Sequence, residues 1–371
     1  MNFPAIPKIL LFNKAKGKPA GGEFLALEVD SEVAKAARFK YSPDGGIELL
    51  AIGKHQITDP SACHSGVIFN RALVTEALNF AIKRAISDYA SAPKDVIFGI
   101  FGSQTKCFST VARSIRESPE EKVTEKEIME TVDRIEEAAF SRALGVASFE
   151  LGDPNIEVEL TNSAIVSVTA DENLVLDDSN FTGEKIEMTL FTAFSPRKHI
   201  NMIQDICKEL GLNLLMSCSE TYSLTQSLSP SHNQEFNSIL IDIRRDLTNV
   251  CVIFGSGPKE SLSFGIGAKD ISASEDNINH WLVSLDFILT QFEGIKTFPS
   301  EVIISGEGAK VVGLPARINA YPFTKNLPFK EMPSAKLLSY DNIHKIKVPP
   351  DLALLEDISA ISLGVVYPEI R

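Results

Sequence analysis

Apolar positions along this chain fall into short blocks that alternate with polar turns. From Ser238 the pattern reads as an apolar strand to Ile243, a polar turn of Arg244, Arg245, Asp246, Leu247 and Thr248, and a second apolar strand from Asn249 to Phe254. The same device occurs near the start: a strand from Phe24 to Val29, an acidic turn, and a strand from Val33 to Phe39. A third strand, Gly46 to Gly53, follows the Asp-Gly-Gly turn at Asp44. Two hairpins of one design predict two structurally related halves.

Between the hairpins the period changes to that of helices. Asn70 caps a helix over residues 70–90 whose stripe is Val74, Leu78, Ile82 and Ile86. A buried-type strand, "DVIFGIFGS", follows. Thr124 and Glu127 form a capping box before a helix that buries Ile128, Val132, Ile135 and Ala139. Residues 144–194 return to strand alternation (Ile156, Val158 and Leu160, then Ile186, Met188 and Leu190). Ser195 and Pro196 predict a serine-capped helix with Ile200, Ile203, Ile206 and Leu210 on one face. After the second hairpin, a box of Ser272 and Glu275 opens a helix striped by Ile278, Trp281, Leu282, Leu285, Leu289 and Phe292. "SEVIISGEGAKVVGL" reads as strand, glycine turn and short helix, and "DISAISLGVVY" as a closing small-residue helix.

At 371 residues the chain predicts about two or three domains. Its net charge of -13 argues against nucleic acid as a partner, since phosphate backbones select clustered Lys and Arg. The five cysteines, Cys63, Cys107, Cys207, Cys218 and Cys251, are scattered and odd in number, which predicts buried, reduced thiols. Cys63 and His64 adjoin without a second ligand pair at zinc spacing, so they read as loop and no metal site is expected. The first twenty-two residues hold Lys8, Lys14, Lys16, Lys18 and no acid, around Ile9, Leu10, Leu11 and Phe12. That order is the reverse of a signal peptide and places the protein in the cytoplasm, with residues 3–18 read as a peripheral contact on an anionic membrane face.

The two hairpins and the later Gly306-Glu307-Gly308 turn resemble the actin, sugar kinase and heat-shock ATPase superfamily. Within it, "DVIFGIFGSQTKCFSTVARSI" followed by "VTEKEIMETVDRIEEAA", the segment "FTGEKIEMTLFTAFSPRKHINMIQDICKELGLNL", and "DISAISLGVVY" are similar to the bacterial division family FtsA and, next to it, the pilus assembly family PilM. The resemblance implies an α/β fold of two related actin-like (RNase H-like) halves with an inserted α+β subdomain in the first half. Its expected layout is an N-terminal arm (1–22), a first half (23–105), the inserted subdomain (106–195), and a second half (196–371) lacking the family's usual extra subdomain.

In that superfamily the hairpin turns grip the phosphates of ATP with its Mg²⁺, and the Gly-x-Gly turn receives the adenosine. Carried over, the nucleotide cleft consists of Glu28, Asp30 and Ser31 in the first turn, Asp242, Arg244, Arg245 and Thr248 in the second, and Gly306 with Gly308. The turns lack the family's glycines, and a phosphate cradle needs positive φ and close backbone approach. ATP and Mg²⁺ are therefore expected only if this degenerate cleft still binds them, and no catalytic residue is assigned. The charges suggest another use: an acidic first turn (Glu28, Asp30, Glu32) facing a basic second turn (Arg244, Arg245) would clasp the cleft with ion pairs, or the arginines would hold an anion themselves. The resemblance implies an FtsA-like scaffold of cell division, weak or inactive as an ATPase. The alternatives are a PilM-like pilus scaffold and an active ATPase. Division or pilus proteins and further copies of the chain are the expected partners.

Overall fold

The computed structural model describes residues 22–86, 92–175, 181–229, 236–255, 257–352 and 354–370. The membrane contact read for residues 3–18 falls outside them.

The first hairpin forms from β1 (Glu23–Val29) and β2 (Val33–Tyr41), paired antiparallel from Glu23↔Lys40 to Val29↔Ala34, and β3 (Ile47–Gln56) adds to β2. Both faces of the hairpin are covered, so its two alternating sets of side chains are both apolar. Phe24 and Ala26 enter one core with Phe39 and Tyr367; Leu25, Leu27 and Val29 enter another with Val74 and Leu78. Cys63 and His64, expected in a loop, form β4 (Cys63–His64) of a small hairpin with β5 (Val67–Ile68). Helix α1 (Arg71–Ala85) starts at Asn70, whose side chain accepts from Leu73 N at 3.3 Å, and β6 (Asp95–Ile100) joins β1 in parallel.

The inserted α+β unit contains β7 (Lys106–Ile115), α2 (Glu125–Leu151), β8 (Val158–Ala170), β9 (Asn173–Leu174) and β10 (Lys185–Pro196). Both bonds of the Thr124–Glu127 capping box are made. The helix continues past residue 144, where strand alternation was expected, because Ala143 and Ala147 extend its buried stripe until Gly152 stops it in the left-handed region. Ser195 does not cap the next helix. It is held in the β10–β8 ladder opposite Glu159, and α3 (Arg197–Glu209) begins after Pro196 without a side-chain cap.

The chain then passes through β11 (Asn213–Ser219), α4 (Glu220–Leu228), β12 (Ser238–Ile243), β13 (Thr248–Phe254), β14 (Gly257–Phe264), α5 (Ala268–Ile271), α6 (Glu275–Thr290), β15 (Glu301–Gly306), α7 (Leu314–Ala320), β16 (Ser334–Leu337), β17 (Ile346–Lys347) and α8 (Ile358–Ser362). The cap of α6 is Ser274, which accepts from Asn277 N at 3.2 Å, while Ser272 ends α5.

One six-stranded sheet runs β11-β6-β1-β2-β3-β17 and a nine-stranded sheet runs β16-β15-β12-β13-β14-β7-β10-β8-β9. This corrects the boundary expected at residue 196. Residues 197–219 return to the first sheet, where β11 pairs in parallel with β6 from Asn213↔Asp95 to Ser219↔Ile100, and the second half starts at β12. The end of the chain also returns: β17 pairs with β3, and Tyr367 stacks on Phe24 with ring centroids 3.9 Å apart. The inserted unit joins the second half through a short seam, Phe108↔Glu260 and Cys107↔Ser261 between β7 and β14. No described helix is long and apolar enough to cross a membrane.

Candidate functional site

The hairpin turns follow β1 and β12, and the fold brings them face to face around one side chain. Arg244 is 3% exposed. Its Nε donates to Asp242 Oδ2 at 2.7 Å, Nη1 to Glu28 Oε1 at 2.9 Å, and Nη2 to Glu220 Oε2. Asp30 Oδ2 lies 3.8 Å from Nη1, and the guanidinium covers the Phe101 ring at 4.0 Å from its centroid. The carboxylates are held in place by their other bonds. Glu28 also accepts from Lys35 Nζ at 3.0 Å and Ser359 Oγ at 2.6 Å, and Asp242 accepts from Ser305 Oγ at 2.8 Å. At the mouth, Arg245 Nη2 pairs with Glu32 Oε1 at 2.5 Å.

Sequence reading therefore brought Glu28, Asp30, Asp242, Arg244 and Arg245 to one place, and the ion-pair clasp is present, buried at Arg244. The other predicted residues face elsewhere. Ser31 Oγ accepts from Ser65 N, and Thr248 Oγ1 donates to the Ile266 carbonyl while accepting from Trp281 Nε1. The glycines serve packing: a Cβ on Gly306 would stand 2.5 Å from the Ile243 carbonyl oxygen, and one on Gly308 2.4 Å from Ile243 Cβ. Three participants were missed: Lys35, Ser359 and Glu220. Lys35, a charge set between Ala34 and Ala36 in β2, was a visible signal. Glu220 was not, although Gly99 makes room for it; a Cβ there would stand 2.3 Å from Glu220 Oε1.

Two of the carboxyl groups on this guanidinium, Glu28 and Glu220, hold their protons very differently. Burial opposes ionisation of Glu28, but Lys35 and Arg244 outweigh it and hold Glu28 down at about 2. Burial pushes Glu220 up to about 8 despite Arg244, with the charges of Glu28 and Asp242 adding to the rise. Its Oε1 has no hydrogen-bond partner among the described residues. Burial disfavours the charge on Arg244 as well, and the surrounding acids keep it protonated.

A void of about 10 Å³ remains beside Glu220 and Asp242, far below the roughly 300 Å³ of a small ligand pocket. The walls are acidic, the turns carry side chains where a phosphate would need backbone N–H groups, and a guanidinium fills the centre. These residues do not fit a nucleotide triphosphate or its metal. All five cysteines are buried and outside any disulfide, and burial, helped by Asp30, pushes the Cys63 thiol up to about 12, which removes it as a nucleophile.

A second concavity lies on the inserted unit, a groove of about 890 Å³ between the end of β7, the following loop and the first turns of α2. Ile128, Phe181, Ile186 and Met188 form its apolar floor. On the rim, Glu117, Glu121, Glu130 and Asp133 outnumber Lys122 and Arg134, while Arg116 and Glu127 neutralise each other at 2.9 Å. Among the described residues β14 pairs with β7 only at Cys107 and Phe108, so from Ser109 to Ile115, which is 76% exposed, the edge of β7 that faces away from β10 has no strand beside it.

No family model matches the sequence, and no curated protein matches it. Among solved structures the chain is similar to the PilM–PilN type IV pilus biogenesis complex, at 15% identity over 94% of this chain and 98% of that chain, with a TM-score of 0.60. It is also similar to MreB5 of Spiroplasma citri bound to ADP (10% identity, 94% and 97% covered, TM-score 0.46). A further match is a Bacteroides thetaiotaomicron protein of actin-like ATPase fold and unknown function (10% identity, 95% and 99% covered, TM-score 0.42). The chain has the actin-like α/β fold.

Proposed function

We propose that this protein is a non-catalytic actin-like scaffold at the cytoplasmic face of a membrane, and that it holds an extended segment of a partner protein, in the manner of a pilus assembly scaffold. The observation that carries the reading is the groove beside the open edge of β7. An exposed strand edge next to an apolar trough can take a peptide by strand addition, the backbone supplying affinity and alternate side chains filling the floor. The acidic rim favours a segment with basic residues, which are enriched in the cytoplasmic flanks of membrane proteins. Likeness in fold to the PilM–PilN complex supports the pilus form of this reading over a division role.

The test is fluorescence anisotropy with labelled cytoplasmic peptides of the organism's own pilus and division membrane proteins, titrated with the full chain. Saturable binding that falls at least about tenfold in Ile115→Asp, with the thermal melt unchanged, is the expected result. If no such peptide binds, or Ile115→Asp binds equally well, the scaffold loses its docking site.

A further inference from the structure

We propose that Arg244 is a resident substitute for a bound ligand: a built-in counter-ion that holds the two halves closed without nucleotide or metal. The inference does not depend on which partner the groove takes. It rests on the inversion of charge in the cleft. A site for a polyphosphate presents cations and backbone N–H groups, whereas this one presents Glu28, Asp30, Glu220 and Asp242. The occupant that complements such walls is a cation, and the chain supplies one from the second turn.

The geometry suits a guanidinium better than any other side chain. Its fork donates to three carboxylates in different directions while its face lies on Phe101. The three come from separate segments: Glu28 from β1 in the first sheet, Asp242 from β12 in the second, and Glu220 from the start of α4 between them. One side chain thus ties the halves at the point where a ligand would otherwise bridge them. Lys35 adds a second fixed cation on Glu28 and reaches the Glu356 carbonyl just ahead of α8, and Ser359 of α8 donates to Glu28, so this stretch joins the same knot. A ligand shifts a conformational equilibrium only through differential affinity for the two states. Here the differential contacts are covalently built in, so closure is a constant of the molecule.

Amide hydrogen exchange on the full chain tests this at the two turns, residues 28–35 and 242–249. Arg244→Ala should speed exchange there at least about tenfold relative to wild type. A few tens of millimolar guanidinium chloride should slow it again, while equal sodium chloride or ATP with Mg²⁺ should not. Arg244→Lys, which keeps the charge but loses the fork, should exchange at an intermediate rate and serves if the alanine variant does not fold. Exchange in Arg244→Ala or Arg244→Lys that matches wild type would overturn the proposal. So would slowing of wild-type exchange by millimolar ATP with Mg²⁺, because a ligand would then enter with Arg244 in place.

Discussion

Replacing Glu220 by Gln isolates the least settled charge in the cleft. Glu220 is 1% exposed, and its carboxyl stands at about 8 against an ordinary 4.5. At ~1.4 kcal/mol for each tenfold change in proton affinity, that difference corresponds to roughly 5 kcal/mol. The folded state binds this proton more tightly than the unfolded chain does. Its contribution is therefore complete below pH 4.5 and is lost as pH rises through about 8. Glu28, held down at about 2, acts only below pH 4.5 and leaves this window undisturbed. Gln keeps an oxygen to accept from Arg244 Nη2 and cannot ionise, so it removes the slope but retains the bond. Urea unfolding of both proteins at pH 5, 6, 7 and 8 should show the variant gaining on wild type by up to about 1.4 kcal/mol per pH unit. A constant difference across that range would refute the reasoning, because it would mean that Glu220 is ionised throughout in a plain pair with Arg244.

Other expectations concern packing, capping and a second buried group. Gly99→Ala would push a methyl group into Glu220 and Leu363 and should lower the unfolding free energy by ~1–3 kcal/mol, read from denaturant midpoints. Gly145→Ala, on an open position of α2 with no atom near its Cβ, should raise it by about 0.5–1 kcal/mol in the same assay. Thr124→Ala removes the acceptor for Glu127 N and should cost about 1 kcal/mol, with calorimetry showing a lower melting temperature. Burial holds His199 down at about 4, below its ordinary 6.5. As pH falls from 6.5 to about 4, His199→Gln should therefore gain on wild type by up to about 1.4 kcal/mol per pH unit in urea unfolding of both proteins, a trend opposite in direction to that of Glu220→Gln.

Elements whose two faces differ in the finished fold were legible in the sequence. Helix α1 and the box-capped start of α2 each show the period of a surface that is half core, while the hairpins, covered on both faces, were legible instead as apolar runs broken by polar turns. Helix α4 shows none, because "ETYSLTQSL" is buried on every side. Its hydroxyls solve their own burial: Thr225 donates to the Thr221 carbonyl, Ser227 to Leu224 and Ser229 to Thr225. A helix satisfied in this way leaves no polar face to read, and Glu220 at its start was hidden with it. The return of α3 and β11 to the first sheet escaped notice for a related reason. Parallel pairing of β11 with β6 is non-local, and nothing near residue 196 signals it. In the cleft, opposite signs in two turns announced an attraction. That the attraction would be dry, and shared by a third acid, depended on packing beyond either turn.

The seam between β7 and β14 has a mechanical consequence. A sheet continuous from β9 to β16 is a tie-beam of eight strand spacings, roughly 38 Å at ~4.8 Å each. A tug delivered at the outer end of the inserted unit is carried rung by rung into the second half. Most rungs are long ladders, but the joint at Cys107 and Phe108 is two residue pairs, braced by Arg142 on Glu260. Inward of β8 it is the shortest ladder of the beam, so tension entering at β8 concentrates between the inserted unit and the second half.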